Sequence, residues 1–301
     1  MSSIASAAAS SLKSTNGRSY MKVPRPVTLG FRGLAALLPG PAERLASWMF
    51  CHPHRAPLHA RDKAVLETGE RARLRIGNHD VVTWTWGDGP TVLLHHGWGG
   101  RASQMAAFVD PLLRAGYRVV AYDAPAHGGS PGQTTGVPVF AQVLRGLADR
   151  LGGVHAIVAH SAGCAATMLA IRQGLSVDRA VLLAPPADMR VFLAVFADHF
   201  AMNRRLRNAM TRRIAAWFDI DWAEMHAGHW AQREQPPLLV LHDRDDSTVP
   251  WSHGHAVRQA WKGAELVTTD GLGHQRIRRD PEVIERAVAF LERTAPETRP
   301  Q

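Results

Sequence analysis

From about residue 90 onward, segments with the apolar pattern of a strand alternate along the chain with segments that have the apolar pattern of a helix. Short runs of aliphatic and β-branched residues predict strands, and longer runs with an apolar residue every three or four positions predict helices. The predicted strands lie at 91–94, 117–122, 154–158, 180–184, 237–243 and 265–269. The predicted helices lie at 102–115, 139–151, 253–261 and 282–293, with one more directly after the strand at 154–158. Because strands separated by helices pair in parallel, this pattern predicts an α/β fold with a doubly wound, mostly parallel sheet.

The alternation is interrupted once, between residues 187 and 236. This interval follows Pro185-Pro186, is rich in arginine and aromatic residues, and has a helical pattern. We interpret it as a small helical cap insertion. It divides the core of the fold into a first part at 71–186 and a second part at 237–295.

The region before the first of these strands has a different character. Residues 1–30 predict a disordered or mis-started N-terminus, with Met21 as an alternative initiator. Residues 31–70 predict an N-terminal extension of one or two amphipathic helices. Residues 71–86 alternate and contain Gly77-Asn78, which is typical of a β-hairpin.

Composition narrows the classes of function. The longest apolar region, residues 154–171, contains His155 and His160 and is better explained by a buried strand and helix than by a membrane span. The formal charge is +9, but there is no basic tail and no nucleic-acid-binding motif. We therefore expect no nucleic-acid partner and no stable membrane insertion. Two cysteines, Cys51 and Cys164, predict no disulfide framework and favour a reducing, cytoplasmic location.

A serine lies at the tip of a predicted sharp turn between a strand and a helix. It is Ser161 in the run Ala159-His160-Ser161-Ala162-Gly163. Small residues two positions before and after the serine allow strand and helix to approach closely, as a strained nucleophile elbow requires. Ala159 differs from the usual glycine by one methyl group, which we expect the turn to accommodate.

An acidic residue and a histidine follow in the order that such a serine requires. The predicted strand at 237–243 leads into an aspartate-rich loop, and the strand at 265–269 leads into Gly271-Leu272-Gly273-His274. The carboxyl ends of parallel strands meet at one edge of the sheet, where these folds place their chemistry. The order Ser, Asp, His is that of an α/β-hydrolase.

Together with HHGWGG at 95–100 and DAPAHGGS at 123–130, these motifs resemble the α/β-hydrolase superfamily over about residues 71–294. The resemblance is to its serine-nucleophile esterase and lipase branch, of the bacterial type with a D-A-P-A-H-G motif. It implies Ser161 as nucleophile, His274 as general base and Asp246 as the acid that orients the histidine. Asp246 is preferred to Asp243 and Asp245 because it stands four residues before Pro250, where the family places its acid. Asp243 stands where the family usually has glycine and remains an alternative.

The resemblance also implies an oxyanion hole made of the backbone N–H groups of Trp98 and Ala162. His127 is expected to be structural. The candidates for the substrate pocket are Trp98, Phe192, Phe196 and Trp217.

The expected substrate is a small-molecule carboxylic ester or thioester. Amide or peptide cleavage, acyl transfer, and ligand binding without catalysis remain open. No cofactor is implied. The run Cys51-His52-Pro53-His54 with His59 matches no zinc signature, so no metal is expected. Acyl length and oligomeric state do not follow from the sequence.

Overall fold

The computed structural model describes residues 25–231 and 235–293. Its centre is an eight-stranded sheet with the order β1-β2-β4-β3-β5-β6-β7-β8. The strands are β1 (Glu70–Ile76), β2 (His79–Trp86), β3 (Thr91–His95), β4 (Arg118–Asp123), β5 (Ala156–His160), β6 (Arg179–Leu183), β7 (Leu238–Asp243) and β8 (Glu265–Thr269).

Six strands, β3 to β8, run parallel to one another, and the β1–β2 hairpin extends one side of the sheet through antiparallel pairing of β2 with β4. The hairpin pairs Ile76 with His79 across a two-residue loop in which Gly77 has φ 54°. A positive φ is readily adopted by glycine, which explains its place in this turn. The doubly wound, mostly parallel sheet predicted from the sequence is confirmed.

Helices cover both faces of the sheet. They are α1 (Arg25–Leu37), α2 (Pro39–Cys51), α3 (Ala60–Glu67), α4 (Val109–Arg114), α5 (Val137–Arg150), α6 (Ala162–Arg172), α7 (Met189–His199), α8 (Arg204–Phe218), α9 (Ala227–Trp230), α10 (Trp251–Ala260), α11 (Gly273–Arg276) and α12 (Pro281–Glu292). Two 3₁₀ helices, Ala102–Phe108 and Trp222–Glu224, complete the elements.

Each face of the sheet has its own apolar core. On one face, α5, α6 and α10 bury residues such as Phe140 and Met168. On the other, the first 3₁₀ helix, α4 and α12 bury Phe108, Leu112 and Phe290. The strands β3, β5, β6 and β7 are buried along their whole length, as expected for parallel strands covered on both faces.

A third core lies away from the sheet, between the N-terminal helices and the helices inserted between β6 and β7. We call α1, α2 and the segment up to residue 59 the arm, and α7 to α9 the cap. Phe31 and Ala46 of the arm pack with Phe196, Phe200 and Met210 of the cap. The arm thus covers the cap, and both are held over the same edge of the sheet.

The arm differs from the sequence prediction in two respects. Helix α1 begins at Arg25, so residues 25–30 are helical although 1–30 was predicted to be disordered; the rest of that prediction lies outside the described residues. The extension predicted as one or two helices contains three, α1 to α3. Pro39 begins the second of them, where a proline is tolerated in the first turn of a helix. Among the described residues, no helix is long and apolar enough to cross a membrane.

Candidate active site

Ser161 occupies the sharp turn between β5 and α6. Its φ is 54° and its ψ is −121°, a conformation that is strained for a residue with a side chain. The backbone N–H of Ser161 donates to the carbonyl of Leu183 at 2.9 Å, which ties the turn to the neighbouring strand. The sheet therefore holds this strained turn in place at the carboxyl end of β5.

Two glycines allow the neighbouring loop to approach this turn. A Cβ on Gly163 would lie 2.6 Å from the carbonyl oxygen of His96, and one on Gly97 would lie 2.9 Å from the Cβ of Ser161. Both distances are shorter than real Cβ contacts. Ala159, by contrast, lies in regular β5 and is fully buried, so its methyl group is accommodated as the sequence predicted.

His274 contacts the serine from α11. Its Nε2 lies 3.0 Å from Ser161 Oγ, and its Nδ1 lies 2.7 Å from Asp246 Oδ2. The side chains of His274 and Asp246 are almost completely buried. The three residues thus form one continuous hydrogen-bonded chain.

The carboxylate of Asp246 accepts several hydrogen bonds. Its Oδ1 accepts hydrogen bonds from the backbone N–H groups of Thr248 and Val249, each at 2.8 Å. Burial by itself would raise the pKa of Asp246, but the contacts with His242 and His274 and the Val249 N–H hold that pKa below its usual value. The group is therefore ionised at neutral pH and suited to stabilise a positive charge on His274.

Asp243, the alternative acid, lies at the end of β7 and has a different set of partners. It accepts hydrogen bonds from the backbone N–H groups of Leu272 and Gly273 and from the hydroxyl of Thr269. These contacts fix the loop that carries His274. The geometry thus brings Asp246, and not Asp243, to the histidine.

The loop after β3 is held by two neutral histidines. His127 Nε2 accepts from the backbone N–H of Gly99 at 2.8 Å, and His96 Nε2 accepts from that of Ala124 at 3.0 Å. Burial lowers the pKa of His127 to about 3 and that of His96 to about 4. Both rings therefore stay uncharged at neutral pH, which an accepting nitrogen requires. Trp98, between these anchors, lies beside Ser161 and Ala162 in the wall of one cavity.

Comparison with known proteins assigns this arrangement to a family. The sequence model of the alpha/beta hydrolase family matches residues 92–287, well over half of the chain. The chain belongs to the alpha/beta hydrolase family. It is 27% identical over 262 residues to a non-heme chloroperoxidase of Streptomyces lividans, a match that covers 66% of this chain and 91% of that protein.

Solved structures of low sequence identity to this chain have the same fold. An esterase from Exiguobacterium antarcticum matches with a TM-score of 0.59 and 13% identity, covering 74% of this hydrolase-family chain and 100% of the esterase. A bromoperoxidase from Bacillus anthracis matches with a TM-score of 0.56 and 18% identity, covering 74% and 99%. Both structures are matched almost in full, while part of the present chain has no counterpart in them. The arm precedes the residues that the family model matches.

Two further histidines support the site of this family member, and sequence reasoning did not single them out. His160 Nε2 donates to the carbonyl of His274 at 2.9 Å, and burial followed by the charge of His274 holds its pKa well below the ordinary value. His242 Nε2 lies 2.8 Å from the carbonyl of Val249 and 3.5 Å from Asp246 Oδ2. The sequence contained only a weak signal for these two residues: His160 lies inside the elbow motif, and His242 lies four residues before Asp246.

The serine opens into a cavity of about 630 Å³ between the sheet edge, the cap and the arm. Trp98, Phe192 and Phe196, three of the four candidates for the substrate pocket, line this cavity. The prediction of Trp217 is wrong: it is 45% exposed and lines a separate surface depression. Its neighbour Phe218 lines the cavity instead, because adjacent residues point to different sides of α8.

The wall of the cavity contains more apolar residues than the sequence indicated. They come from both the arm and the cap and include Met49, Phe50, Ile214, Ile220, Trp222 and Met225. Among the described residues, no group of three or more His, Cys, Asp or Glu side chains is placed to hold a metal ion.

Proposed function

We propose that this member of the family is a serine hydrolase that cleaves a carboxylic ester or thioester. The observation that carries the proposal is the chain of hydrogen bonds from Ser161 Oγ to His274 Nε2, at 3.0 Å, and from His274 Nδ1 to Asp246, at 2.7 Å. A serine hydroxyl is a weak nucleophile unless a base takes its proton in the attack, and this arrangement provides that base.

The reaction begins when Ser161 Oγ attacks the carbonyl carbon and its proton passes to His274 Nε2. Asp246 stabilises the resulting imidazolium through Nδ1–H. The backbone N–H of Ala162 is at the start of α6, where no carbonyl of the helix can accept from it, and with that of Trp98 it binds the oxyanion. His274 then protonates the leaving oxygen or sulfur, and an acyl group remains on Ser161.

Water completes the cycle by the same steps in reverse. His274 takes a proton from a water molecule, which attacks the acyl-enzyme and releases the acid and free Ser161. The apolar cavity favours a small-molecule substrate with an apolar body. The two cysteines are unpaired and buried, which agrees with the cytoplasmic location that we also propose.

Labelling by a fluorophosphonate probe tests the proposal most directly. We expect the wild-type protein to be labelled and Ser161→Ala not to be. Ser252→Ala, which removes an exposed serine on α10, serves as the matched control and keeps the label. Failure to label well-folded wild-type protein would move ligand binding without catalysis to first place.

Substrate panels then separate the remaining alternatives. A p-nitrophenyl ester series, the corresponding thioesters and anilides, and an acceptor alcohol distinguish ester cleavage from amide cleavage and acyl transfer. A chloroperoxidase and a bromoperoxidase are among the relatives, so peroxide-dependent halogenation is measured on the same preparations. Faster amide cleavage than ester cleavage would contradict the proposal.

A further inference from the structure

The wall of the cavity that contains Ser161 carries no permanent charge. Lysine, arginine, aspartate and glutamate make up 20% of the whole chain, but none of the described residues that line the cavity is one of them. The ionisable side chains of the wall are histidines and Cys51, and burial raises the pKa of the Cys51 thiol to about 12. A charged group in such a cavity would lose its water and find no counterion, at a high cost in free energy. The part of a ligand that lies there is therefore expected to be uncharged.

The cavity extends from the sheet edge to the place where the arm meets the cap. Ser161 and His274 belong to the carboxyl edge of the sheet. Phe196 and Ile214 belong to the third core, whose buried residues all come from the arm and the cap. All four residues line the same cavity. A chain attached to a carbonyl carbon at Ser161 thus has space to run toward the arm.

A row of aromatic rings closes the cavity on the side of the arm. The ring of Phe50 meets that of Phe196 edge-on, with centroids 5.3 Å apart. Phe196 contacts Phe200 at 4.9 Å, and Phe200 contacts Phe31 at 5.1 Å. Phe50 and Phe196 line the cavity, whereas Phe200 and Phe31 are buried and do not. The cavity therefore ends at Phe50 and Phe196 in this direction, with packed core behind them.

The arm holds Phe50 in a defined position. Earlier in the same helix, Glu43 Oε1 accepts a hydrogen bond from Arg213 Nε of the cap at 2.8 Å. Directly after Phe50, the carbonyl of Cys51 accepts from the backbone N–H of Thr135, in the loop before α5, at 2.8 Å. The helix is thus fixed on both sides of Phe50, to the cap and to the sheet edge. The ring is in place before any ligand binds.

We infer that the substrate is an ester with an uncharged, apolar chain that extends from Ser161 to the arm, and that Phe50 determines the length of chain that fits. This inference rests on the proposed ester hydrolysis. The cavity volume of about 630 Å³ is in the range that encloses whole small-molecule ligands, so the substrate class is an ester of a neutral medium-chain acid or alcohol. Phe50 lies before residue 92, where the match to the family begins, so this specificity belongs to the arm.

Two series of esters measure the length of chain that the cavity accepts. One contains p-nitrophenyl esters of straight-chain acids from 2 to 16 carbons, and the other contains acetates of straight-chain alcohols over the same range. In at least one series we expect kcat/KM to rise about fourfold for each added methylene until the cavity is full, and to fall beyond that length.

Variants of Phe50 tie the optimum length to the arm. Phe50→Ala makes room at the end of the cavity and should move the optimum to chains longer by about two carbons or more. Phe50→Trp fills space and should move it to shorter chains, because a packed core cannot yield to the larger ring. Phe50→Leu should lie between wild type and Phe50→Ala. Trp217→Ala, which removes an exposed aromatic ring outside the cavity, is the control and keeps the wild-type optimum.

A pair of substrates that differ in charge tests the other half of the inference. The mono-p-nitrophenyl ester of octanedioic acid ends in a carboxylate, and its methyl ester has the same chain without the charge. Release of p-nitrophenol is measured at pH 8, above the ordinary pKa of histidine. We expect kcat/KM for the carboxylate to be lower by about a hundredfold or more, since the wall offers no counterion.

The outcomes separate this inference from the proposed function. Labelled Ser161 together with equal cleavage of all chain lengths, or of the charged and uncharged pair, would overturn the inference and leave the hydrolase intact. An optimum length that stays the same in every Phe50 variant that folds would overturn it as well, because a purely structural role would change all lengths alike. Absence of labelling and of cleavage would refute the proposed function, and the inference with it.

Discussion

The sheet edge and the wall formed by arm and cap differ in how their polar groups are satisfied. At the edge, Asp246, Asp243 and His127 each bind identified backbone N–H groups, and the strained Ser161 is tied to β6. In the wall formed by arm and cap, most side chains are apolar.

This contrast separates two requirements of an enzyme, which are the chemical step and the selection of a substrate. A chemical step needs a few atoms at fixed distances, which networks of hydrogen bonds between backbone and side chains provide. Selection of a substrate needs a surface left open to the ligand. Under the proposed function, the first requirement is met by the part that matches the family model, and much of the second by the arm, which precedes that match.

Removal of triad groups is expected to have the largest effect. Ser161→Ala and Asp246→Asn should each lower kcat/KM by about 10⁴-fold, because nucleophile, base and acid act as a unit. Asp243→Asn should affect activity less, since Asp243 only holds the loop of His274. Steady-state kinetics on a p-nitrophenyl ester measures all three. An Asp243 variant as inactive as Asp246→Asn would reopen the assignment of the acid.

Acidification should strongly lower the free energy of unfolding, because buried histidines lie at the sheet edge. Burial lowers the pKa of His96 to about 4 and that of His127 to about 3. It also lowers to about 4 the pKa of His253, a residue of α10 whose Nδ1 accepts from the backbone N–H of Ala187 at 3.0 Å. These folded-state values lie below the unfolded value near 6.5. The unfolded chain therefore binds more protons between pH 6.5 and about 4, and stability is lost as the pH falls through that window.

The size of this effect follows from linkage. Each of the three histidines should cost about 1 kcal/mol of unfolding free energy between pH 7 and pH 5.5, or roughly 3–4 kcal/mol together. Urea unfolding at the two pH values measures it. His127→Gln, which offers an oxygen to the N–H of Gly99, should recover about one third of the loss. Equal stability at both pH values would show that these rings can be protonated in the fold.

A methyl group at the elbow should have a moderate effect. Gly163→Ala places a Cβ 2.6 Å from the carbonyl oxygen of His96, and so pushes apart the elbow and the loop of Trp98. We expect a loss of about 1–3 kcal/mol in unfolding free energy from overpacking and a roughly tenfold or larger fall in kcat from misplaced oxyanion donors.

Gly40→Ala is the matched control for this substitution. A Cβ at Gly40 meets no atom within 4 Å and the residue lies in helix α2, so alanine should preserve or raise stability there. Unchanged kinetics in Gly163→Ala would mean that the two loops can separate without loss of the oxyanion donors.

The sequence was sufficient for the features that local patterns encode. The sheet, the elbow at Ser161 and the order of the acid and His274 follow from runs of neighbouring residues. The choice between Asp243 and Asp246 needed coordinates to show which carboxylate reaches the imidazole. Trp217 was misplaced because a run of aromatic residues does not reveal which side of a helix faces a cavity.

Contacts between residues far apart in the chain could not be predicted from the sequence, for a different reason. His160 donates to a carbonyl 114 residues later, and Arg55 binds carbonyls 73 and 77 residues away. Such pairs leave no periodic signal in a single sequence, because only the fold brings them together. The packing of the arm against the cap belongs to the same class.

The smallest predicted effect concerns the link between the two regions. Arg55→Lys keeps the positive charge but cannot bridge the carbonyls of Gly128 and Gly132 with a planar fork. We expect the arm to be held less firmly, so that KM for p-nitrophenyl octanoate rises about threefold, the scale of one exposed hydrogen bond, while kcat stays constant. Arg73→Lys, on strand β1, is the control and should change neither constant. If Arg55→Lys lowered kcat and left KM unchanged, the arm would act on the loop of Trp98 and the oxyanion. The arm would then take part in the chemistry as well as in the choice of substrate, and the division between the two regions would fail at this residue.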